Sequence, residues 1–274
     1  MQQINDLIPA GPTPQERIQK LADRVTIPSR ISEPSDDREG CADCFYTGMV
    51  LVEGEGARNC ECRKRAQLQR FYDQIPTEFG VPTFDTFKPD RGRHPSQAEK
   101  FEQLRREPAL SYFLCGDNGT GKTYFGWLLA VEAYRAGRKV VAVELDTLLK
   151  QYRRWQFICD EPDAQFRDDR PAVLPADLKQ KGVRHTIFLD EIGGTKVTEY
   201  AAQEFFYLLK AAAEYDHQMI LTCDVQPSEL ADIWRNVQRK GNDEVPASDA
   251  HWGNKIARRI AEYSVRVDLF RPAK

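Results

Sequence analysis

The chain reads as an α/β protein: a parallel five-stranded sheet between helices, preceded by a small, helical N-terminal domain that bears paired cysteines. Three observations predict this. From residue 111 onward, five short apolar runs alternate with helical segments, the βαβ rhythm of a parallel sheet covered on both faces. The first run leads into Gly116-Asp117-Asn118-Gly119-Thr120-Gly121-Lys122-Thr123, which fits the phosphate-loop pattern G-x-x-x-x-G-K-[ST] at every fixed position. Two close cysteine pairs, Cys41/Cys44 and Cys60/Cys62, stand apart from that alternating region.

Taken in order, Thr13-Pro14-Gln15-Glu16 has the form of a helix start, with Thr13 as N-cap, Pro14 in the first turn and Glu16 reaching back, and the helix runs to about residue 25. Residues 28–40, with Ser, Pro and Asp prominent, read as a linker, and residues 41–62 as the cysteine module. A helix is expected over 63–74, with Leu68, Phe71, Tyr72 and Ile75 on one face. Residues 76–95 are irregular, and a helix covers 96–106. Strands are expected at 112–115, 140–145, 186–190, 219–223 and 265–270. The clearest helices lie over 124–135, free of breakers apart from Gly126, and over 198–215. The polar stretches 159–181 and 236–252 are longer than ordinary connections, which suggests partner-binding or mobile elements. The chain thus divides into an N-terminal region (1–75), a linker and entry (76–110) and a core (111–274).

Composition narrows the function classes. A hydrophobic fraction of 41% is enough for a core, and 30% charged residues suit a soluble protein. The net charge of −3 provides no global basic field, so nucleic-acid binding would have to come from local patches. No apolar run approaches the length of a membrane span. Met1-Gln2-Gln3-Ile4-Asn5-Asp6 is polar and carries an early acid, unlike a secretory signal. Seven cysteines, an odd number, fit a reducing compartment better than a disulfide framework, and a cytoplasmic location is expected.

The chemistry concentrates at four places. In the phosphate loop, Gly116, Asn118, Gly119, Thr120 and Gly121 let backbone N–H groups curl around phosphates at a helix N-terminus. Lys122 would neutralise the β- and γ-phosphates and Thr123 would ligate Mg²⁺. The apolar run 186–190 ends in Asp190-Glu191, which places Asp190 on the metal and Glu191 as general base. The run Met219-Ile220-Leu221-Thr222-Cys223-Asp224 would end beside the γ-phosphate if it inserts between the other two strands. Thr222 and Asp224 then sense phosphate or position water, or Asp224 only caps the helix starting near Pro227. Cys41, Cys44, Cys60 and Cys62 can supply a tetrahedral Zn²⁺ site, and the intervening loop, with three glycines and few core formers, would draw its folding free energy from the metal. Of the remaining cysteines, Cys115 and Cys223 lie in expected strands and read as core, and Cys159 stands alone.

Three basic groups invite two readings each. Arg58, Arg63, Lys64, Arg65 and Arg70 fit either phosphate-backbone contact or a solvated helix face. Arg138, Lys139, Arg153 and Arg154, with Tyr152 and Trp155, suit stacking on single-stranded bases, or the aromatics pack against the sheet. Lys255, Arg258 and Arg259 share helical spacing. Arg259, with Arg258 in reserve, is the candidate to reach a neighbouring subunit's γ-phosphate, the alternative being an exposed basic helix.

Together these residues resemble the DnaC/IstB-type AAA+ ATPases, which include bacterial and phage replicative helicase loaders. The similarity spans residues 41–270. It rests on the paired cysteines, Pro82-Thr83-Phe84-Asp85-Thr86-Phe87, the phosphate loop, Leu189-Asp190-Glu191-Ile192-Gly193, Thr222-Cys223-Asp224 and Ile256-Ala257-Arg258-Arg259-Ile260. The resemblance implies an AAA+ P-loop NTPase core with a short C-terminal lid and ATP bound between neighbouring subunits. It also implies open self-assembly, an N-terminal region gripping a hexameric replicative helicase, and loading onto single-stranded DNA in a bacterial or phage-infected cell. Asp190-Glu191 replaces the paired aspartates common in the family, and Asp224 stands where asparagine is common. An IstB-like transposase helper acting on duplex DNA is an alternative. So is a zinc-dependent adaptor that binds ATP without turnover, against which Glu191 argues. A zinc-bearing unfolding ATPase would need a larger lid than this chain carries.

Overall fold

In a computed structural model of the chain, the structure describes residues 41, 43–44, 47–52, 56–87, 95–159, 170–194, 198–235 and 251–270. The expected helix near residues 13–25 and the linker 28–40 lie outside the described residues. The chain forms two compact units, residues 1–69 and 70–274. Among the described residues no helix is long and apolar enough to cross a membrane.

The first unit carries an antiparallel hairpin of β1 (Met49–Val52) and β2 (Gly56–Asn59), with Met49 opposite Asn59 and Val52 opposite Gly56. Helix α1 (Glu61–Tyr72) follows at once. It begins two residues before the sequence-based start because the Cys60 carbonyl accepts from the N–H groups of Arg63 and Lys64, both at 3.1 Å, so the cysteine turn is also the helix's first turn. The helix ends at Tyr72. Ile75 lies beyond that end, in a turn whose N–H donates to the Tyr72 carbonyl at 3.0 Å, and is buried there.

The second unit is built from α2 (Pro95–Arg106), β3 (Tyr112–Cys115), α3 (Lys122–Arg135), β4 (Lys139–Glu144), α4 (Leu145–Trp155), β5 (His185–Asp190), α5 (Glu199–Glu214), β6 (Gln218–Cys223), α6 (Pro227–Arg235), α7 (His251–Tyr263) and β7 (Val265–Asp268). Its sheet runs β4-β5-β6-β3-β7, with every pair parallel. The five expected strands are all present, and β6 inserts between β3 and β5.

The strands read as unbroken apolar runs because both faces are covered. Successive side chains alternate across the sheet, so each run supplies two cores. Phe113, Cys115, Ile187, Leu189, Met219 and Leu221 join one apolar layer with residues of α4, α5, α6 and α7. Tyr112, Leu114, Phe188, Ile220, Val267 and Leu269 join a second layer with α2 and α3. The Phe84-x-x-Phe87 segment belongs to that second layer, with Phe87 5.2 Å from Phe125 and 4.8 Å from Phe101 between ring centroids.

Gly126, the one breaker in α3, has a packing cause. A Cβ there would lie 2.4 Å from the Phe188 ring of β5, so the helix settles onto the sheet only where that atom is missing. Gly126→Ala is expected to cost about 1–3 kcal/mol through overpacking, despite alanine's better helix propensity. Urea unfolding would measure this, and an unchanged or raised midpoint would refute the close-approach argument.

Candidate functional site

The loop between β3 and α3 leaves the sheet through Gly116, at φ 156°. A Cβ at this position would sit 2.5 Å from the Leu269 carbonyl carbon and oxygen, just beyond β7, so only glycine lets the chain pass. The turn is held by its own polar groups. The Thr120 hydroxyl donates to the Asp117 carbonyl at 2.8 Å, and the Thr120 carbonyl accepts from Gln97 Nε2 of α2 at 2.7 Å. Lys122 Nζ donates to the carbonyls of Gly116 at 2.8 Å and Asp117 at 3.0 Å, folding its ammonium back over the loop. Lys122 is also the first residue of α3, so the loop's amides and the helix N-terminus converge where an anion is favoured.

Because β6 lies between β3 and β5, the acids at the end of β5 come to the same place. Thr123 Oγ1 donates to Asp190 Oδ1 at 3.2 Å, and the Thr222 hydroxyl donates to the same oxygen. The Glu191 N–H donates to Thr222 Oγ1 at 2.9 Å. A cleft of about 470 Å³ opens here, lined by Asn118, Gly119, Gly121, Lys122 and Thr123 on one side and Asp190, Glu191, Thr222 and Asp224 on the other. Phe79 and Tyr124 form part of its wall as an edge-to-face pair with centroids 5.5 Å apart, an apolar surface of the kind that accepts a flat ring. Phe79, Tyr124 and Gln97 had no sequence signal. Tyr124 follows the loop directly in α3, whereas Phe79 and Gln97 reach it only because the chain before β3 returns to it.

The predicted residues therefore largely assemble. Gly116 and the Thr120 side chain shape the loop from beneath and do not line the cleft. Asp224 is exposed on the cleft wall. Just before α6 the Gln226 N–H donates to Glu229 Oε2 at 3.0 Å. Arg258 and Arg259 on α7 do not line this chain's own cleft. Both reach Glu262, at 2.7 Å and 3.5 Å. Lys255 lies 4.9 Å from the centre of the Trp252 ring. Cys115 and Cys223 are buried, and burial first of all pushes their thiols up to about 12 and about 11, so the core reading of both holds and neither is an activated nucleophile.

Of the two readings of the aromatics near Arg153 and Arg154, the packing one holds for Tyr152, which does not present its ring for base stacking. With Leu145, Leu148 and Leu149 it forms the buried stripe of α4 at helical spacing, because the sheet claims that face. Arg153 and Arg154 are exposed beside half-buried Trp155, and Phe157 just beyond the helix is 82% exposed, an aromatic that sequence reasoning passed over.

In the first unit the four cysteine sulfurs lie within 4.8 Å of one another, with Cys41–Cys60 at 3.6 Å and Cys44–Cys62 at 3.4 Å. These separations exclude disulfides, whose sulfurs sit about 2.0 Å apart, and match the edges of about 3.8 Å expected around a tetrahedral ion with Zn–S near 2.3 Å. Cys62, hydrogen-bonded first to Cys44 and then to Cys60, is pushed up to about 12. A divalent cation among the four sulfurs would favour their thiolate forms by its own charge. The donor set and geometry fit zinc and indicate a zinc-binding module.

No family model matches the chain. In sequence it is similar to the chromosomal replication initiator protein DnaA of Neisseria meningitidis, 25% identical over 192 residues that cover 68% of this chain and 33% of that protein. It is also similar to DnaA of Bordetella petrii, 27% identical over 158 residues covering 55% and 30%. The chain therefore spans about a third of the length of the curated relatives it matches. In structure it is similar to the crystal structure of DnaI, with a TM-score of 0.50, 14% identity, and coverage of 71% of this chain and 94% of that one. At that identity the likeness establishes the fold alone: the second unit is a P-loop α/β core of the kind seen in DnaI. The family resemblance read from the sequence holds at the level of that fold.

Proposed function

We propose that this chain is an ATP-dependent loader of a hexameric replicative helicase, hydrolysing ATP at interfaces between copies of itself. The observation that carries this is the convergence of Lys122 and Thr123 with Asp190 and Glu191 in one cleft. In that reading Lys122 exchanges its two loop carbonyls for the β- and γ-phosphates. Thr123 and Asp190 hold Mg²⁺, and Glu191 orients and deprotonates the attacking water. Bound Mg²⁺ would supply charge neutralisation at the phosphates. Gly116, Asn118, Gly119, Thr120 and Gly121 set the backbone donors, and Phe79 and Tyr124 offer a surface for the base. Asp224 acts as the sensor, and a neighbouring copy brings Arg259 to the cleft from outside, in keeping with Arg259 being absent from the cleft of its own chain.

Zinc at Cys41, Cys44, Cys60 and Cys62 would order the module within residues 1–75, the region proposed to grip the helicase. Exposed Arg153, Arg154 and Phe157 are the candidate contacts for single-stranded DNA. The sequence similarity to replication initiator proteins favours a role in replication over the transposase-helper alternative.

The test pairs two variants of the full chain. Lys122→Ala is expected to abolish nucleotide binding and nucleotide-dependent self-assembly. Glu191→Gln, pulled from native lysate with ATP, is expected to retain a hexameric helicase. Capture of a transposase in its place, or nucleotide affinity undiminished in Lys122→Ala, overturns the proposal.

A further inference from the structure

We infer that Thr222 is a positioning residue that locks the metal-holding acid and the general base into one unit, a role distinct from sensing phosphate. The inference rests on the proposed reading of the cleft as an ATP-hydrolysing site and concerns how that site is held in shape.

Thr222 is the penultimate residue of β6 and is 1% exposed, so its hydroxyl must find its partners inside the protein. A hydroxyl has one proton to give and lone pairs to accept with, and Thr222 uses both capacities on consecutive residues of the neighbouring strand end. It donates to Asp190 Oδ1 and accepts the Glu191 N–H at 2.9 Å. Its carbonyl accepts the Ile192 N–H at 3.0 Å.

The backbone at Glu191 explains why such a hold is needed. Glu191 has φ 54°, the left-handed region that non-glycine residues rarely enter and keep only when their surroundings impose it. Three hydrogen bonds define this turn: Glu191 N–H to Thr222 Oγ1, Ile192 N–H to the Thr222 carbonyl, and Gly194 N–H to the Glu191 carbonyl at 3.1 Å. Thr222 supplies the acceptor in two of them. The turn directs the chain so that Asp190 and Glu191 both line the cleft.

The hydroxyl has a second consequence. Asp190 Oδ1 receives two hydroxyl donors, Thr123 and Thr222. Were Thr123 to ligate Mg²⁺, the Thr222 donor would remain on Asp190 and keep its carboxylate oriented. Valine has the same branched shape without the hydroxyl. It would remove a charge-assisted hydrogen bond from Asp190 and leave the Glu191 N–H without its acceptor.

The experiment compares Thr222→Val and Thr222→Ser with wild type, reading turnover and, separately, the binding of a fluorescent ATP analogue with and without Mg²⁺. For Thr222→Val, kcat is expected to fall about ten- to a hundredfold, the range set by one or two lost hydrogen bonds to charged or strained groups. Analogue affinity without Mg²⁺ stays within about twofold, while the gain in affinity on adding Mg²⁺ shrinks about tenfold. Thr222→Ser, which restores the hydroxyl, stays close to wild type on both readouts. Valine matching wild type, or serine as impaired as valine, overturns the inference. Should Thr222→Val not fold, Thr222→Ser and Thr222→Cys decide: serine must exceed cysteine in turnover and in the Mg²⁺-dependent gain, and equality sinks the idea. Lys122→Ala and Glu191→Gln are run alongside. If these too leave binding and turnover untouched, the ATPase reading itself has failed. If they act and the Thr222 variants do not, only the positioning role has.

Discussion

Glu191→Gln is expected to lower ATP turnover by about two to four orders of magnitude while nucleotide affinity stays within a few-fold. The glutamine keeps the size and shape of the side chain and loses its capacity to take a proton. The neighbouring groups separate the two effects. Asp190, with hydroxyls of Thr123 and Thr222 on one of its oxygens, is tied to those two side chains, whereas Glu191 leads the turn beyond β5 and is exposed on the cleft. Loss of the base should therefore spare binding, and the variant should accumulate in the ATP-bound form. Single-turnover phosphate release and equilibrium binding of a fluorescent analogue measure the two quantities independently. Turnover that survives the substitution removes Glu191 from the mechanism, whereas wild-type protein that binds ATP and never turns it over returns the ATP-binding adaptor to favour.

Stripping metal from the cysteine module should have the second largest effect. The hairpin β1–β2 has four residues per strand, and its β2 residues are all exposed. An isolated two-stranded hairpin is marginal at best in water. Its order therefore has to come from the four sulfurs, and a structural zinc site contributes on the order of 10 kcal/mol or more of coupled binding and folding. Protein purified under reducing conditions is expected to carry one zinc per chain. Chelation, or Cys44→Ser, should abolish amide protection over β1 and β2 while the α/β core, residues 70–274, melts as before. Protein without zinc whose hairpin amides remain protected would remove the metal from the account.

Much of the candidate cleft was legible in the sequence, because its parts are local. A loop with fixed glycine and lysine spacing, a strand ending in two acids and a paired-cysteine module each carry their chemistry within a few consecutive residues. The strand starts show where that legibility stops. Lys139, His185 and Gln218 each begin a strand one residue before the apolar run. Two of them, His185 and Gln218, are buried polar residues. The Gln218 side chain is secured by partners far along the chain: its Nε2 donates to the carbonyls of Pro108 and Leu110, both at 2.8 Å. The His185 ring packs edge-to-face on the His217 ring, centroids 5.1 Å apart. Hydropathy marks such residues as the end of a run, although the packing makes them part of the core.

Taken alone, the chain's residue order determined the alternating α/β plan, the loop chemistry and the four sulfur donors, since each depends on spacing within a short segment. Only the tertiary structure decided that β6 enters between β3 and β5, that Gln97 props the loop from beneath, that Tyr152 is core, and that Thr222 joins Asp190 to Glu191. The physical reason is that strand order and buried hydrogen bonds join residues tens of positions apart, and the pairing is selected by mutual burial and polar satisfaction across the whole sheet.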